Sequence, residues 1–365
     1  MQIVSSNWSE QKIRIPGRMA FLPYYTSSPW GKGEEYFIFF SALPDFSRSW
    51  LHTWSPAEGR VTAEVELKHW NGLPPRMHSE LLLSSVLLPE RRLVLVPLLE
   101  KLCAVSLDDG SVAEVWRGAD AAMRLGGPGN LSRDGRFAVF AEYPQEFGVV
   151  RDVPLTVLET ANFRPVGTRL FRGFLANHFQ FMDDPDWLLF AHEGATETIP
   201  DRVNRINWRT GGRQLLHRHE TAPDGTLLEC IGHEMTRGGT VCAVRYPVSV
   251  LPGALVAMRT DGGGYAVLDC DDYWHCSCNA DGTVFALDTL WWGNTRRKTP
   301  YEIDIIRIDS RAGTKEIVKT VRSDPKEQYR HPHPQLNAAG NRLLFIENSD
   351  GDDAVGAITL RIQEP

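Results

Sequence analysis

The chain has 365 residues, is 42% hydrophobic and 23% charged, and carries a formal net charge of −7 at pH 7. That balance describes a soluble globular protein with ample core-forming material, and its acidity argues against a nucleic-acid partner, which needs a basic face. No window approaches the ~18 uninterrupted apolar residues of a membrane span. The N-terminal MQIVSSNWSEQKIRIPG also lacks the basic start and apolar stretch of a signal peptide. A cytoplasmic protein with no membrane partner is therefore expected.

Long helical periodicity is nearly absent, and short β-rich runs alternate with Gly, Asp and Pro turns. A turn followed by an apolar strand recurs along the chain. Its instances are Gly31-Lys32-Gly33 before EEYFIFF, Glu90-Arg91 before RLVLVP, Asp134-Gly135 before RFAVFAE, and Asp184-Pro185 before DWLLFAHE. Gly238-Gly239 before TVCAVRY, Asp281-Gly282 before TVFALD, and Ala339-Gly340 before NRLLFIE complete the series. Seven copies at a mean spacing of about 51 residues fall in the range of propeller blades. Second turns, such as Asp108-Asp109-Gly110 and Thr260-Asp261-Gly262, supply the outer hairpins. The sequence thus predicts an all-β fold, a seven-bladed β-propeller, as a single domain over residues 1–365. The N-terminal QKIRIPG and C-terminal VGAITLRIQ would complete one blade and close the ring. Two stacked β domains are the alternative.

The repeat converts histidine positions into geometry. His178, His275 and His333 each precede the turn of their unit by seven residues and His233 by six, so four successive blades carry a His near the start of a strand. The matching positions in the first three blades are Thr26, Ser84 and Pro128. A lone His there would be a packed or surface residue, but several desolvated imidazoles together are unfavourable without a task or a metal. In the segment 327–334, EQYRHPHP, His331 and His333 sit two apart on a chain that Pro holds extended, so both rings can face one side. Alone, that segment reads as a solvated Pro-rich loop. With His275 from the neighbouring blade it reads as a metal site, and imidazoles with an amide oxygen suit Mn²⁺. The six Cys, including Cys276 and Cys278 beside His275, fit no zinc spacing and read as small apolar fillers.

These residues resemble the oligogalacturonate lyases, polysaccharide lyase family 22, whose members are seven-bladed propellers. The family's metal-binding Gln-x-x-His-x-His group is matched by Gln328, His331 and His333, and its His from the preceding blade by His275 in Tyr273-Trp274-His275-Cys276-Ser277. The proposed base of the family is matched by His233 in Gly232-His233-Glu234. Its catalytic Arg, after a His-Glu-Gly segment and an Asp, is matched by Arg202 after His192-Glu193-Gly194 and Asp201, with Arg205 a rival. Tyr24 to Trp30 also looks like the family's first-blade segment.

The resemblance implies a lyase that removes the C5 proton of a uronate and expels the C4 oxygen by β-elimination. A divalent ion, expected to be Mn²⁺, would neutralise the carboxylate with Arg202, and His233 would act as base. For His178 sugar binding outweighs catalysis, and His192, Arg205, Trp274, Trp292 and Arg296 are further candidates for substrate contact. The Trp residues read equally as inter-blade packing and the Arg296 segment as a solvated loop. The expected partner is a short oligogalacturonate-like uronate in pectin degradation, and a homo-oligomer stays open. The alternatives are a lyase for a glucuronate- or rhamnose-linked uronate, and a non-catalytic propeller that binds sugar or protein.

Overall fold

The computed structural model describes residues 1–146, 152–194, 198–248, 250–290, 302–323, 326–348 and 356–364. Among them the strands form seven sheets, and the fold is a seven-bladed β-propeller. In the first six blades the strands follow one another in chain order. Blade one runs from Met19–Phe21 to Arg60–Glu66, blade two from Val86–Leu88 to Val112–Arg117, and blade three from Met123–Leu131 to Pro165–Phe171. Blade four runs from Leu175–Phe181 to Arg213–His217, blade five from Ile231–Arg237 to Ala266–Asp269, and blade six from Tyr273–Cys278 to Thr314–Arg322. Gln2–Ile3 adds a parallel edge strand to blade six. Blade seven is made of Gln335–Leu336, Arg342–Asn348 and Gly356–Gln363, with the N-terminal strand Trp8–Ile13 at its edge.

Burial explains the strand sequences. Second strands such as Phe37–Ala42 and Val284–Thr289 are buried at every position, so they read as near-continuous apolar runs. Fourth strands such as Arg60–Glu66 alternate between exposed and half-buried positions over residues 60–64 before Val65 turns inward, the period-2 pattern of a strand wetted on one face. One element departs from the all-strand expectation: Pro75–Leu83 is an α-helix with Pro in its first turn. Its Leu81-Leu82-Leu83 run is buried and resembles a strand in sequence, but nine residues are too few to show helical periodicity clearly.

The chain gathers into two compact units, residues 12–180 with 349–358, and residues 1–11 with 181–348 and 359–365. In the first, Leu95, Leu102 and Ala104 of blade two pack with Leu125, Phe140 and Leu158 of blade three. In the second, Leu189 and Val203 of blade four pack with Val241 and Val256 of blade five, and Ile303 and Val318 of blade six pack with Leu343 and Phe345 of blade seven. Tryptophan serves this packing: Trp70 and Trp208 are fully buried, and each indole N–H donates to a backbone carbonyl at 2.6 Å, of Pro97 and Pro185 respectively. No described helix is long and apolar enough to cross a membrane.

The tight turn of blade five illustrates how closely neighbouring blades meet. Gly238 has φ +57°, and a Cβ there would lie 2.2–2.6 Å from the backbone of Asp281 in the blade-six turn, whereas a Cβ on Gly239, φ +73°, would meet nothing. Gly239→Ala is predicted to cost only the left-handed strain of about 1–2 kcal/mol. Gly238→Ala adds a backbone clash and is predicted to cost at least about 3 kcal/mol. Equal midpoints for the two variants in urea unfolding would contradict this packing.

Candidate metal centre

The first strands of blades five and six break register with their neighbours, between Gly232 and Met235 and between Tyr273 and Cys276. An extra residue in one strand bends it and re-aims its side chains. His233 lies inside the first break and His275 inside the second. The backbone is also unusual: His178, His233 and His333 have φ of +53°, +51° and +42°, the left-handed region that few residues other than Gly adopt. In blade three that conformation falls on Gly127, one residue before the expected Pro128, and His275 is not among the left-handed residues. Three of the four aligned histidines therefore share a backbone conformation that is strained for a residue other than Gly.

His275, His331 and His333 come together. All three are buried, and their candidate ligand nitrogens lie within 4.8 Å of one another. Ring centroids are 4.4 Å apart for His275 and His333, 5.4 Å for His275 and His331, and 5.3 Å for His331 and His333. Nitrogens that each sit about 2.1 Å from one ion lie at most about 4.2 Å apart, so small side-chain adjustments close this set around a metal. The donor chemistry agrees, since three imidazoles whose ligand nitrogens converge in a buried place suit a divalent cation. Trp274 covers the group, its ring 4.1 Å from that of His331 and 4.6 Å from that of His275.

His275 is held by Asp288, a residue the sequence reading did not single out. Asp288 accepts the His275 backbone N–H at 2.7 Å, and its two oxygens lie 3.0 and 2.8 Å from Nδ1. That leaves Nε2 as the ligand atom, the carboxylate–histidine arrangement that orients metal-binding imidazoles. Complete burial pushes the Asp288 carboxyl up to about 7, although the His275 N–H favours its charged form. The contrast with His52 and His78 is instructive. Both are buried beside one Ser hydroxyl, at 2.7 and 2.8 Å, and burial lowers them to about 3 and about 4, so they are neutral core residues. Asp288 left one trace in the sequence, as the lone acid in the buried run VFALDT.

His233 stands beside this group, its ring centroid 4.3 Å from that of His275. Its Nδ1 is hydrogen-bonded to Tyr246 Oη. Gly232 makes room for that tyrosine: a Cβ there would fall 2.8 Å from the Tyr246 ring. Arg202 is buried between two carboxylates. Its Nε donates to Glu234, and its Nη1 and Nη2 donate to Glu193 at 3.3 and 2.8 Å. Burial alone would lower the guanidinium, but Glu234 and Glu193 outweigh it and hold Arg202 charged.

The remaining sequence candidates are placed differently. Gln328 is exposed on the single turn Gln328–Arg330, where its backbone carbonyl accepts the His331 N–H at 3.2 Å. His192 is half-buried, with Nδ1 2.9 Å from Asp201 and its backbone N–H on the Arg202 carbonyl at 2.8 Å. Arg205 bonds Gln214 at 3.0 and 2.7 Å and lies 4.2 Å over the Trp187 ring, so the structure does not bring it to Glu193 and Glu234. His178 belongs to the other unit, where Nε2 lies 3.4 Å from Tyr24 Oη. Trp292 and Arg296 lie outside the described residues. Cys242, Cys276 and Cys278 are buried free thiols, Cys276 Sγ lying 3.8 Å from Cys242 Sγ, consistent with apolar filling.

No family model and no curated protein matches this chain. Among solved structures, an oligogalacturonate lyase in complex with manganese aligns with a TM-score of 0.78 at 15% identity, over 100% of this chain and 95% of that one. The oligogalacturonate lyase of Vibrio parahaemolyticus gives 0.76 at 14% identity, over 99% of this chain and 98% of its own. A prolyl endopeptidase shares the fold more loosely, with a TM-score of 0.54 at 10% identity over 92% of this chain and 45% of its own. At these identities the likeness is one of fold, and the resemblance read from the sequence holds at that level: along its whole length the chain has the propeller fold of the oligogalacturonate lyases.

Proposed function

We propose that the chain is a metal-dependent lyase that cleaves short oligogalacturonate-like substrates by β-elimination in the cytoplasm. The observation that carries this reading is the buried His275–His331–His333 group with a fourth imidazole, His233, beside it. The manganese bound to one structural neighbour supports Mn²⁺ as the ion. His275, His331 and His333 would hold it, with Gln328 joining from its exposed turn.

A divalent ion so held supplies Lewis-acid stabilisation of the negative charge that builds on a uronate carboxylate as the C5 proton leaves. The protein's own groups do the rest. With Nδ1–H of His233 donating to Tyr246, Nε2 carries the lone pair that takes the C5 proton. The electron pair of the C5–H bond then forms a C4=C5 double bond as the C4–O bond breaks, and the departing sugar oxygen takes a proton from solvent water. Arg202 offers a planar fork that matches a carboxylate better than a lysine would. Trp274, over His275 and His331, is an apolar face for a sugar ring.

Digalacturonate incubated with the Mn²⁺-loaded protein is predicted to gain the ultraviolet absorbance of the new double bond. Chelation should abolish it, and His233→Ala should slow it by about 10²–10⁴-fold. No absorbance from any uronate disaccharide with metal supplied would sink the lyase reading, and a panel of glucuronate- and rhamnose-linked uronates separates the substrates. Independently of turnover, Asp288→Asn should weaken Mn²⁺ affinity by about 10–100-fold in calorimetric titration. Unchanged affinity would mean that Asp288 does not orient a ligand.

A further inference from the structure

Arg202 meets its two carboxylates in different ways. Glu234 is 1% exposed and takes the Nε–H, while Glu193 is 20% exposed and spans Nη1 and Nη2. The end-on edge formed by Nη1 and Nη2 is where a planar carboxylate docks with two parallel bonds. On the reading proposed above, a uronate carboxylate needs those same N–H groups. If Glu193 stayed in place, three carboxylates would crowd one guanidinium, and like charges at such range repel strongly in a site shielded from water.

We infer that Glu193 is an internal latch, a carboxylate that holds the Arg202 fork in the empty protein and yields it to the carboxylate of the substrate. Its exposure fits that role, because a released Glu193 can recover hydration. Glu234 has no such outlet, and it follows His233 directly, so it anchors Arg202 through Nε to the strand break that carries the base. Exchange keeps the number of anions around Arg202 constant, and a neutral sugar, with nothing to replace Glu193, leaves the latch shut. Glu193 thereby sets affinity and selects for acidic sugars.

The test rests on the uronate reading but separates from it. Monomeric galacturonate, which has no C4 glycosidic bond to break, is titrated calorimetrically into the Mn²⁺-loaded protein, with galactose as the neutral control. Glu193→Gln removes the competitor and is predicted to bind galacturonate about tenfold more tightly, the scale of one charge-assisted hydrogen bond, with galactose unchanged. Asp186→Asn removes the same charge just before the strand Trp187–Glu193, where Asp186 pairs with Arg209 at 2.6 Å, and should leave galacturonate affinity as it was. Glu193→Asp, which keeps the charge but shortens the arm, should also tighten binding and stands in if Glu193→Gln does not fold. Unchanged or weaker binding in a folded Glu193 variant, or an equal gain in Asp186→Asn, overturns the latch alone. Failure of the wild type and every variant to bind galacturonate overturns the latch and the uronate reading together.

Discussion

The candidate site depends on a local failure of regular pairing. A strand that keeps register sends alternate side chains to opposite faces, so a blade would present a single imidazole to its core, as His52 of blade one is presented here. The breaks at Gly232–Met235 and Tyr273–Cys276, and the left-handed backbone at His233 and His333, release these rings from that alternation and gather them at one place. Left-handed conformation in a residue other than Gly costs about 1–3 kcal/mol and persists where the surroundings over-determine it. Beyond these positions, an apolar core runs from Val284 and Ile303 of blade six to Leu336 and Phe345 of blade seven.

Charge in the site is arranged in compensated groups. Asp288 is paired with His275, and Glu193 and Glu234 are paired with Arg202. Removing one member of such a group strands the other, which is why buried pairs are costly to break even where they add little net stability. On the proposed reading, the chain's net charge of −7 is compatible with an anionic substrate because what would attract a uronate is local: a cation held by the three histidines, and the guanidinium of Arg202.

The seven strand repeats were legible because turns and fully buried strands leave strong one-dimensional marks, and the His275, His331 and His333 grouping followed once the repeat was phased. The exact alignment was less secure. In blade three the left-handed residue is Gly127, one before Pro128, the position that counting from the turn matches to the histidines, since register breaks shift residues in ways that counting does not see. Tyr246 and Asp288 act through contacts across strands, to which no spacing rule applies, although the lone acid in VFALDT was a usable hint. Arg202 is matched by its place after Asp201, with Arg205 three residues on as its rival. Their partners tell them apart, two carboxylates for one and an amide with an indole for the other.

The central claim is that three buried imidazoles form one divalent-metal site. The most direct measurement is Mn²⁺ titration of the purified, chelator-stripped chain, followed by calorimetry or by the electron spin resonance of free Mn²⁺. About one tightly held ion per chain is predicted, lost in a folded His275→Ala variant. A wild-type chain that binds no divalent ion, or a His275→Ala variant that binds it equally well, would contradict the account.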